Sequence, residues 1–292
     1  MSIQSKEQDV ENLSNISVIK EICQKFGFSF SKSLGQNFIV NPSVCPRIAE
    51  MGGAGKGVGV IEIGTGFGVL THELAKRADK VVAIELDERL IPVLSYTLSE
   101  HDNVKVIHAD VLKVDLKKLI EEEFVGLEVV VCANLPYYIT SPIIMELLEQ
   151  RLSIKSITVM VQKEAASRLC AEMPSRECGA VTAAVRYYSN PQQLFSVGRG
   201  SFMPAPNVDS CVIRLDVKKD LLLSSEEEKK LFKLVKGAFS QRRKTLQNTL
   251  SSSLGLSKKE VSFALERKGK SISARAEELS LGDFIDLSKE LL

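Results

Sequence analysis

From Val58 onward, short apolar runs alternate with stretches of helical period, and this alternation leaves few folds open. Val58–Ile63, Lys80–Leu86, Val104–His108, Leu127–Cys132 and Ser156–Val161 read as strands. Val69–Arg77, Glu88–Leu98, a mixed stretch at Leu116–Glu123, Pro142–Leu152 and Lys163–Ala171 read as the helices between and after them. Strands joined through helices form a parallel sheet with both faces covered. Gln193–Val197 and Asp209–Val217 also have strand character, with no long helix between them. They predict an antiparallel hairpin closing one sheet edge.

The flanks differ in character. Residues 1–15 are polar and read as a flexible tail. Ile16–Phe26 has helical spacing, Gly27–Asn41 is a loop rich in serine and glycine, and Val44–Met51 is a short helix. Past Lys218 the periodicity is helical and no strand is evident. The expected organisation is an α/β domain over 1–217 and a small all-helical domain over 218–292.

Composition excludes several classes. Among 292 residues the formal net charge is only +1, so any nucleic-acid surface must be local. Six scattered cysteines without a C-x-x-C pair, and no signal peptide, predict reduced thiols in a cytoplasmic protein. No apolar stretch is long enough to span a bilayer. His72, His101 and His108 form no ligand pattern, so no metal is expected.

Candidate chemistry gathers at the carboxyl ends of the strands, where open parallel sheets bind ligands. Val58–Ile63 runs into Gly64-Thr65-Gly66-Phe67-Gly68, a loop that lets backbone approach a ligand at a helix start. NAD, FAD and S-adenosylmethionine all suit such a loop. Glu85 ends the next strand, about 20 residues on, where a carboxylate accepts ribose hydroxyls. Asp110 follows the third strand, placed for an adenine amino group. The fourth strand ends in Asn134-Leu135-Pro136-Tyr137. That tetrapeptide joins an amide acceptor, a proline-fixed turn and a stacking ring, which suits a planar group carrying an amine. A plain strand-ending turn with a packed tyrosine is the alternative. No His/Asp or Tyr/Lys constellation for hydride transfer is evident, which weighs against a dinucleotide.

Together these elements resemble the class I S-adenosylmethionine-dependent methyltransferases acting on exocyclic amines. The longer string Asn134–Pro142 is similar to one branch, the small-subunit ribosomal RNA adenine dimethyltransferases of the kasugamycin-sensitivity family. Lys32–Phe38, the Phe202–Ser210 string (F-x-P-x-P-x-V-x-S) and Ala238–Leu246 are similar to three further motifs of that family. The resemblance implies a Rossmann-like, mostly parallel sheet with an antiparallel edge strand, and a helical C-terminal domain that binds RNA. It implies S-adenosylmethionine as methyl donor, with contacts at Gln36, Asn37, Ile39, Gly64, Gly66, Glu85, Asp110 and Asn134. Position 39, often leucine in the family, is isoleucine here. Gly198-Arg199-Gly200 stands where the family usually has prolines, which predicts a more mobile loop.

The implied reaction is dimethylation of N6 on two adjacent adenosines in the hairpin loop near the 3′ end of small-subunit rRNA. Asn134 and the Leu135 carbonyl would accept the amine N–H bonds, Pro136 would fix the turn, and Tyr137 and Phe202 would stack on opposite faces of the base. The adenine must leave its stack to react. Arg199, Arg242, Arg243 and Lys244 are the chosen phosphate contacts; Lys32 and Arg267-Lys268-Gly269-Lys270 are further candidates. The expected partner is the small ribosomal subunit as an assembly intermediate, met by a monomer away from membranes. Two rivals stand beside this reading. One is a large-subunit rRNA adenine methyltransferase of the macrolide-resistance type. The other is an assembly or RNA-binding factor with secondary catalysis.

Overall fold

The computed structural model describes residues 13–30 and 35–292. Most of the expected tail and Lys32, with the first residues of its motif, lie outside the described residues. At the end of the tail, Leu13 is buried. Asn15 caps helix α1 (Ile16–Phe26), its side chain accepting from the Ser17 N–H at 2.9 Å.

The chain divides into two compact units. One takes the chain up to Ala166 together with Gln192–Val217; the other takes Ser167–Pro191 together with Lys218–Leu292. Lys218, the expected boundary, therefore begins the second of two stretches that build the helical unit.

The first unit holds β1 (Phe38–Ile39), α2 (Val44–Met51), β2 (Val58–Ile63), α3 (Val69–Ala75), β3 (Lys80–Glu85) and α4 (Ile91–Thr97). It continues with β4 (Val104–His108), α5 (Leu116–Glu123), β5 (Glu128–Asn134), α6 (Thr140–Glu149) and β6 (Ser156–Gln162). Along the chain come α7 (Lys163–Leu169), which the division between the units crosses, and α8 (Ala180–Tyr188), which belongs to the second unit; the first unit resumes within β7 (Ser189–Val197) and ends with β8 (Phe202–Met203) and β9 (Ser210–Val217). Seven strands form one sheet in the order β4-β3-β2-β5-β6-β9-β7. The pairs from β4 to β6 are parallel, and β9 adds antiparallel to β6. The mostly parallel sheet with an antiparallel addition near one edge is thus present.

The strands carry β-branched runs because both faces are covered. Val60, Ile61, Val81, Val82, Val130 and Val131 are all fully or almost fully buried. On one face α2 and α3 pack on the sheet through Val44, Ile48, Leu70 and Leu74. Another apolar cluster joins α1 and α4 to Phe28, Phe38 and Phe67. A second, two-stranded sheet pairs β1 with β8, setting Ile39 opposite Phe202 and Phe38 opposite Met203. Because β3 and β4 lie to one side of β2 while β5 lies to the other, the strand order reverses between β2 and β5. Loops leaving the two strands diverge there and open a crevice.

In the second unit α8 joins α9 (Ser225–Ala238), α10 (Leu246–Leu254), α11 (Lys258–Arg267) and α12 (Leu281–Leu291). Capping boxes start α9 (Ser224 with Glu227) and α12 (Ser280 with Asp283). Tyr188 stacks on Phe232 with ring centroids 5.4 Å apart and donates its hydroxyl hydrogen to Glu228.

One buried pair ties the first unit to pH. His72 Nδ1 lies 2.7 Å from His101 Nε2, and its own Nε2 is buried without a partner among the described residues. Burial, reinforced by Lys76 and His101 against the opposing Glu73, pushes His72 down to about 4. His101 is also lowered, by burial first, with Lys76 adding and Glu100 opposing. An unfolded histidine titrates near pH 6.5, so below that value the unfolded chain takes protons first. The contribution of the pair is full above about pH 6.5 and is lost as pH falls toward 4. We expect the urea midpoint to drop across that window, and His72→Gln to flatten the drop. An unchanged slope in the variant would assign the loss to other groups.

Candidate active site

The crevice is lined by the ends of β2, β3, β4 and β5 and by the segment from Gly35 to Ile39. The glycine loop shapes its floor. Gly64, Gly66 and Gly68 all have positive φ, at 76°, 57° and 86°. Gly66 is required twice over, since a Cβ there would also meet two Phe38 ring atoms at 3.0 Å. The loop is held by Glu85 at the end of β3. Its Oε2 accepts from Thr65 N–H at 2.9 Å, Thr65 Oγ1 at 2.9 Å and Gly66 N–H at 3.2 Å. Its Oε1 accepts from Asp87 N–H at 2.9 Å.

Asp87 in turn fastens the Gly35–Ile39 segment. It accepts from Gln36 Nε2 at 2.8 Å and from Arg89 Nη2 at 2.7 Å. Those bonds, the Arg89 bond first, hold its carboxyl below the usual aspartate range despite burial. Gln36, expected as a cofactor contact, lines the crevice while spending its amide on Asp87. Asp110 lines the crevice from the end of β4, with Oδ1 capping the turn after it through Leu112 N–H at 3.1 Å.

Asn134 closes the opposite wall. Its Nδ2 donates to the Asn37 carbonyl at 3.2 Å. A carbonyl only accepts, so the amide NH2 must face it, and Oδ1 is left as the acceptor. Pro136 has φ −56° and its carbonyl accepts from Ile139 N–H at 3.1 Å, closing a tight turn. The half-buried Tyr137 hydrogen-bonds Ser210 Oγ through its hydroxyl at 2.7 Å. Burial raises its phenol above the usual range, the Ser210 bond opposing, so the ring is neutral.

Phe202 and Arg199 lie outside the crevice lining. Phe202 is 4% exposed and sits in the core with Ile39, Val44 and Ile48. Pairing with β1 aims alternate residues to opposite faces, and Phe202 falls on the core face. Arg199 is exposed in the turn Arg199–Ser201, its backbone N–H donating to Asp209 Oδ1 at 2.9 Å. The Ser201 carbonyl of that loop accepts from Val40 N–H at 2.8 Å.

One residue was missed by pattern. Glu62 is completely buried in β2, lines the crevice, and has no partner for either oxygen among the described residues. Burial, with Glu85 adding, pushes it up to about 8. The nearby Thr71 hydroxyl opposes this rise. A carboxylate inside an apolar strand is the signal that could have marked it. Glu62, Glu85, Asp87 and Asp110 line the crevice, and no Lys or Arg among the described residues does. Such a lining suits a cationic ligand and opposes a pyrophosphate.

A family model for ribosomal RNA adenine dimethylase matches residues 27–292. The chain belongs to that family. A protein named ribosomal RNA small subunit methyltransferase A from Geobacillus thermodenitrificans is 47% identical over 277 residues, 94% of each chain. Its namesake from Alkaliphilus oremlandii is 45% identical over 283 residues, 97% of this chain and 99% of its own. Among solved structures, a dimethyladenosine transferase from Plasmodium falciparum superposes with a TM-score of 0.70 at 26% identity, covering 86% of this chain and 95% of that one. The 23S rRNA methyltransferase ErmE gives a TM-score of 0.68 at 27% identity, covering 87% and 99%. The dimethylase fold is thus shared by enzymes named for different ribosomal RNAs. Among the described residues no helix is long and apolar enough to cross a membrane. The described residues also hold no group of three or more His, Cys, Asp or Glu suited to a metal.

The Gly66→Ala change combines a left-handed φ with the Phe38 contact. We expect it to cost about 1–3 kcal/mol in urea unfolding. A variant as stable as the parent would show that the loop relaxes freely.

Proposed function

We propose that this chain dimethylates N6 of two adjacent adenosines in the hairpin loop near the 3′ end of small-subunit rRNA, using S-adenosylmethionine. The observation that carries the proposal is the meeting of an acidic ribose-type cradle with the open acceptor of Asn134 in one crevice. When bound, the cofactor supplies an electrophilic methyl group on a sulfonium centre. Glu85 and Asp110 are proposed to hold its ribose and adenine, and the orphan carboxyl of Glu62 fits its ammonium group. Asn37, Ile39, Gly64 and Gly66 complete the proposed contacts.

The amine of adenine is a weak nucleophile because its lone pair is delocalised into the ring. Asn134 Oδ1 and the Leu135 carbonyl accept its two N–H bonds and favour a geometry in which that lone pair leaves the ring plane. Tyr137 offers one ring face to the base, its hydroxyl pinned by Ser210. Catalysis is then positioning and exclusion of water, without a covalent enzyme intermediate. The identities of 45–47% to small-subunit enzymes, against 27% to ErmE, favour the small-subunit substrate over the large-subunit rival. We place the enzyme as a cytoplasmic monomer acting on an assembling small subunit.

For RNA, Arg242, Arg243 and Lys244 are exposed in the turn between α9 and α10, with no acidic partner among the described residues. By contrast Arg267, Lys268 and Lys270 pair with Glu290, Asp286 and Asp283 of α12. The first cluster is therefore the better phosphate contact, and the second is structural. Neutralising Arg242, Arg243 and Lys244 together should weaken RNA binding and lower the slope of log K against log salt by about two. A slope that does not change would remove the cluster from the interface.

Labelled S-adenosylmethionine supplied with unmethylated small subunits should place label on adenine N6 in that particle. Label confined to large-subunit rRNA would establish the rival, and no label on any RNA would leave a binding factor. In the same assay Asn134→Ala should lose transfer by a factor of at least about 100 while binding of S-adenosylhomocysteine weakens less. Turnover like that of the parent would refute the role given to the amide.

A further inference from the structure

Glu85 carries more donors than it can keep while serving a ribose. Three of them, Thr65 N–H, Thr65 Oγ1 and Gly66 N–H, converge on Oε2. A carboxylate oxygen has two lone pairs to share, and with three donors already on it a fourth has no approach unless one leaves. The carboxylate is only 6% exposed, and each donor offsets part of its desolvation. Two vicinal ribose hydroxyls gripping one carboxylate need a place on each oxygen. Oε1 has one protein donor, the Asp87 N–H, and so retains an open place. Oε2 does not. Its two backbone donors are fixed by the loop, whereas the Thr65 hydroxyl turns about its side-chain torsions.

We propose that the Thr65 hydroxyl is a removable latch. It occupies the ribose's place on Glu85 Oε2 in the free enzyme and yields it when the cofactor binds. The ribose hydroxyl spends its one proton on Oε2, so the displaced Thr65 hydroxyl can in turn donate to the ribose oxygen. Thr65 is thus a positioning residue acting through Glu85. It keeps the buried carboxylate satisfied between turnovers and tempers the affinity for cofactor and product alike. The proposal rests on the ribose-binding role of Glu85 proposed above.

The test is calorimetric titration of S-adenosylhomocysteine, the unreactive product, into the full chain, with melting temperatures measured with and without it. Thr65→Val keeps the side chain's shape and removes the donor. It should bind about three- to tenfold tighter than the parent. Its free form should melt lower, and saturating ligand should restore more of that loss than a purely structural defect allows. Thr65→Ser keeps the hydroxyl and should match the parent in both readouts. Equal or weaker binding by Thr65→Val would overturn the latch and make the hydroxyl a fixed brace for Glu85. Should Thr65→Val fail to fold, Thr65→Ala carries the same expectation and the same refutation. A parent chain that does not bind S-adenosylhomocysteine would sink the cofactor reading itself. A parent that binds beside an unimproved Thr65→Val would sink only the latch.

Discussion

Everything in the crevice hangs on the hydrogen bonds that the end of β3 makes to its neighbours. Glu85 pulls the glycine loop of β2 into place through Thr65 and Gly66. Two residues later Asp87 takes Gln36, and the next residue, Asn37, gives its carbonyl to the Asn134 amide. A path of side-chain bonds therefore runs from the cofactor floor, through the Gly35–Ile39 segment, to the acceptor wall. Arg89 braces it with its two-pronged grip on Asp87 and its place 5.1 Å over the Phe28 ring. Behind the path, Phe38 stacks on Phe67 at 4.3 Å between centroids. Apolar packing thus sets the height of the segment, and the carboxylates set its register.

Buried charge is costly unless it is matched, and the crevice treats its two most buried acids differently. Glu85 is satisfied by four protein donors, so its charge is supported inside the fold. Glu62 has none and is pushed up to about 8, which leaves it mostly protonated near neutrality. An arriving cation would reverse that balance and draw out the proton. One carboxyl is therefore prepared by the protein, while the other is left for the ligand to complete. That division explains how two acids on adjacent strands line one pocket without expelling each other.

Much of this was legible in residue pattern. Val58–Ile63 and Val104–His108 have the same bounds in sequence and in structure, the first as a fully buried apolar run and the second as a short, partly exposed β-branched run. Gly66 and Asn134 were legible because few residue types satisfy a left-handed turn or an amide acceptor at a strand end. What escaped depends on distant partners. The burial of Phe202 follows from its pairing with Ile39, which lies far away in sequence. Arg267, Lys268 and Lys270 looked free because their acidic partners lie on the next helix, α12. Helix α8 was passed over because Ala180–Tyr188 is buried on several sides and shows no clean polar face. Ser210 stood inside a recognised motif, yet only the fold brings its hydroxyl to Tyr137.

The distribution of charge explains how a chain of net charge +1 handles a polyanion. The crevice, lined by Glu85, Asp87 and Asp110 beside the raised Glu62 and by no Lys or Arg among the described residues, disfavours phosphate. A neutral base is under no such penalty, so the crevice discriminates between the two parts of one nucleotide. The sugar–phosphate chain has to be held by other surfaces, and the exposed Arg242, Arg243 and Lys244 belong to the other unit. Under the proposed function, holding the backbone falls to these residues and selecting the base falls to the crevice. An adenine reaches the methyl-transfer site only by leaving its own backbone behind, which is the geometry that flipping out of a stack provides. The same acidity that favours a sulfonium cofactor therefore helps to make extrusion of the base the condition for reaction.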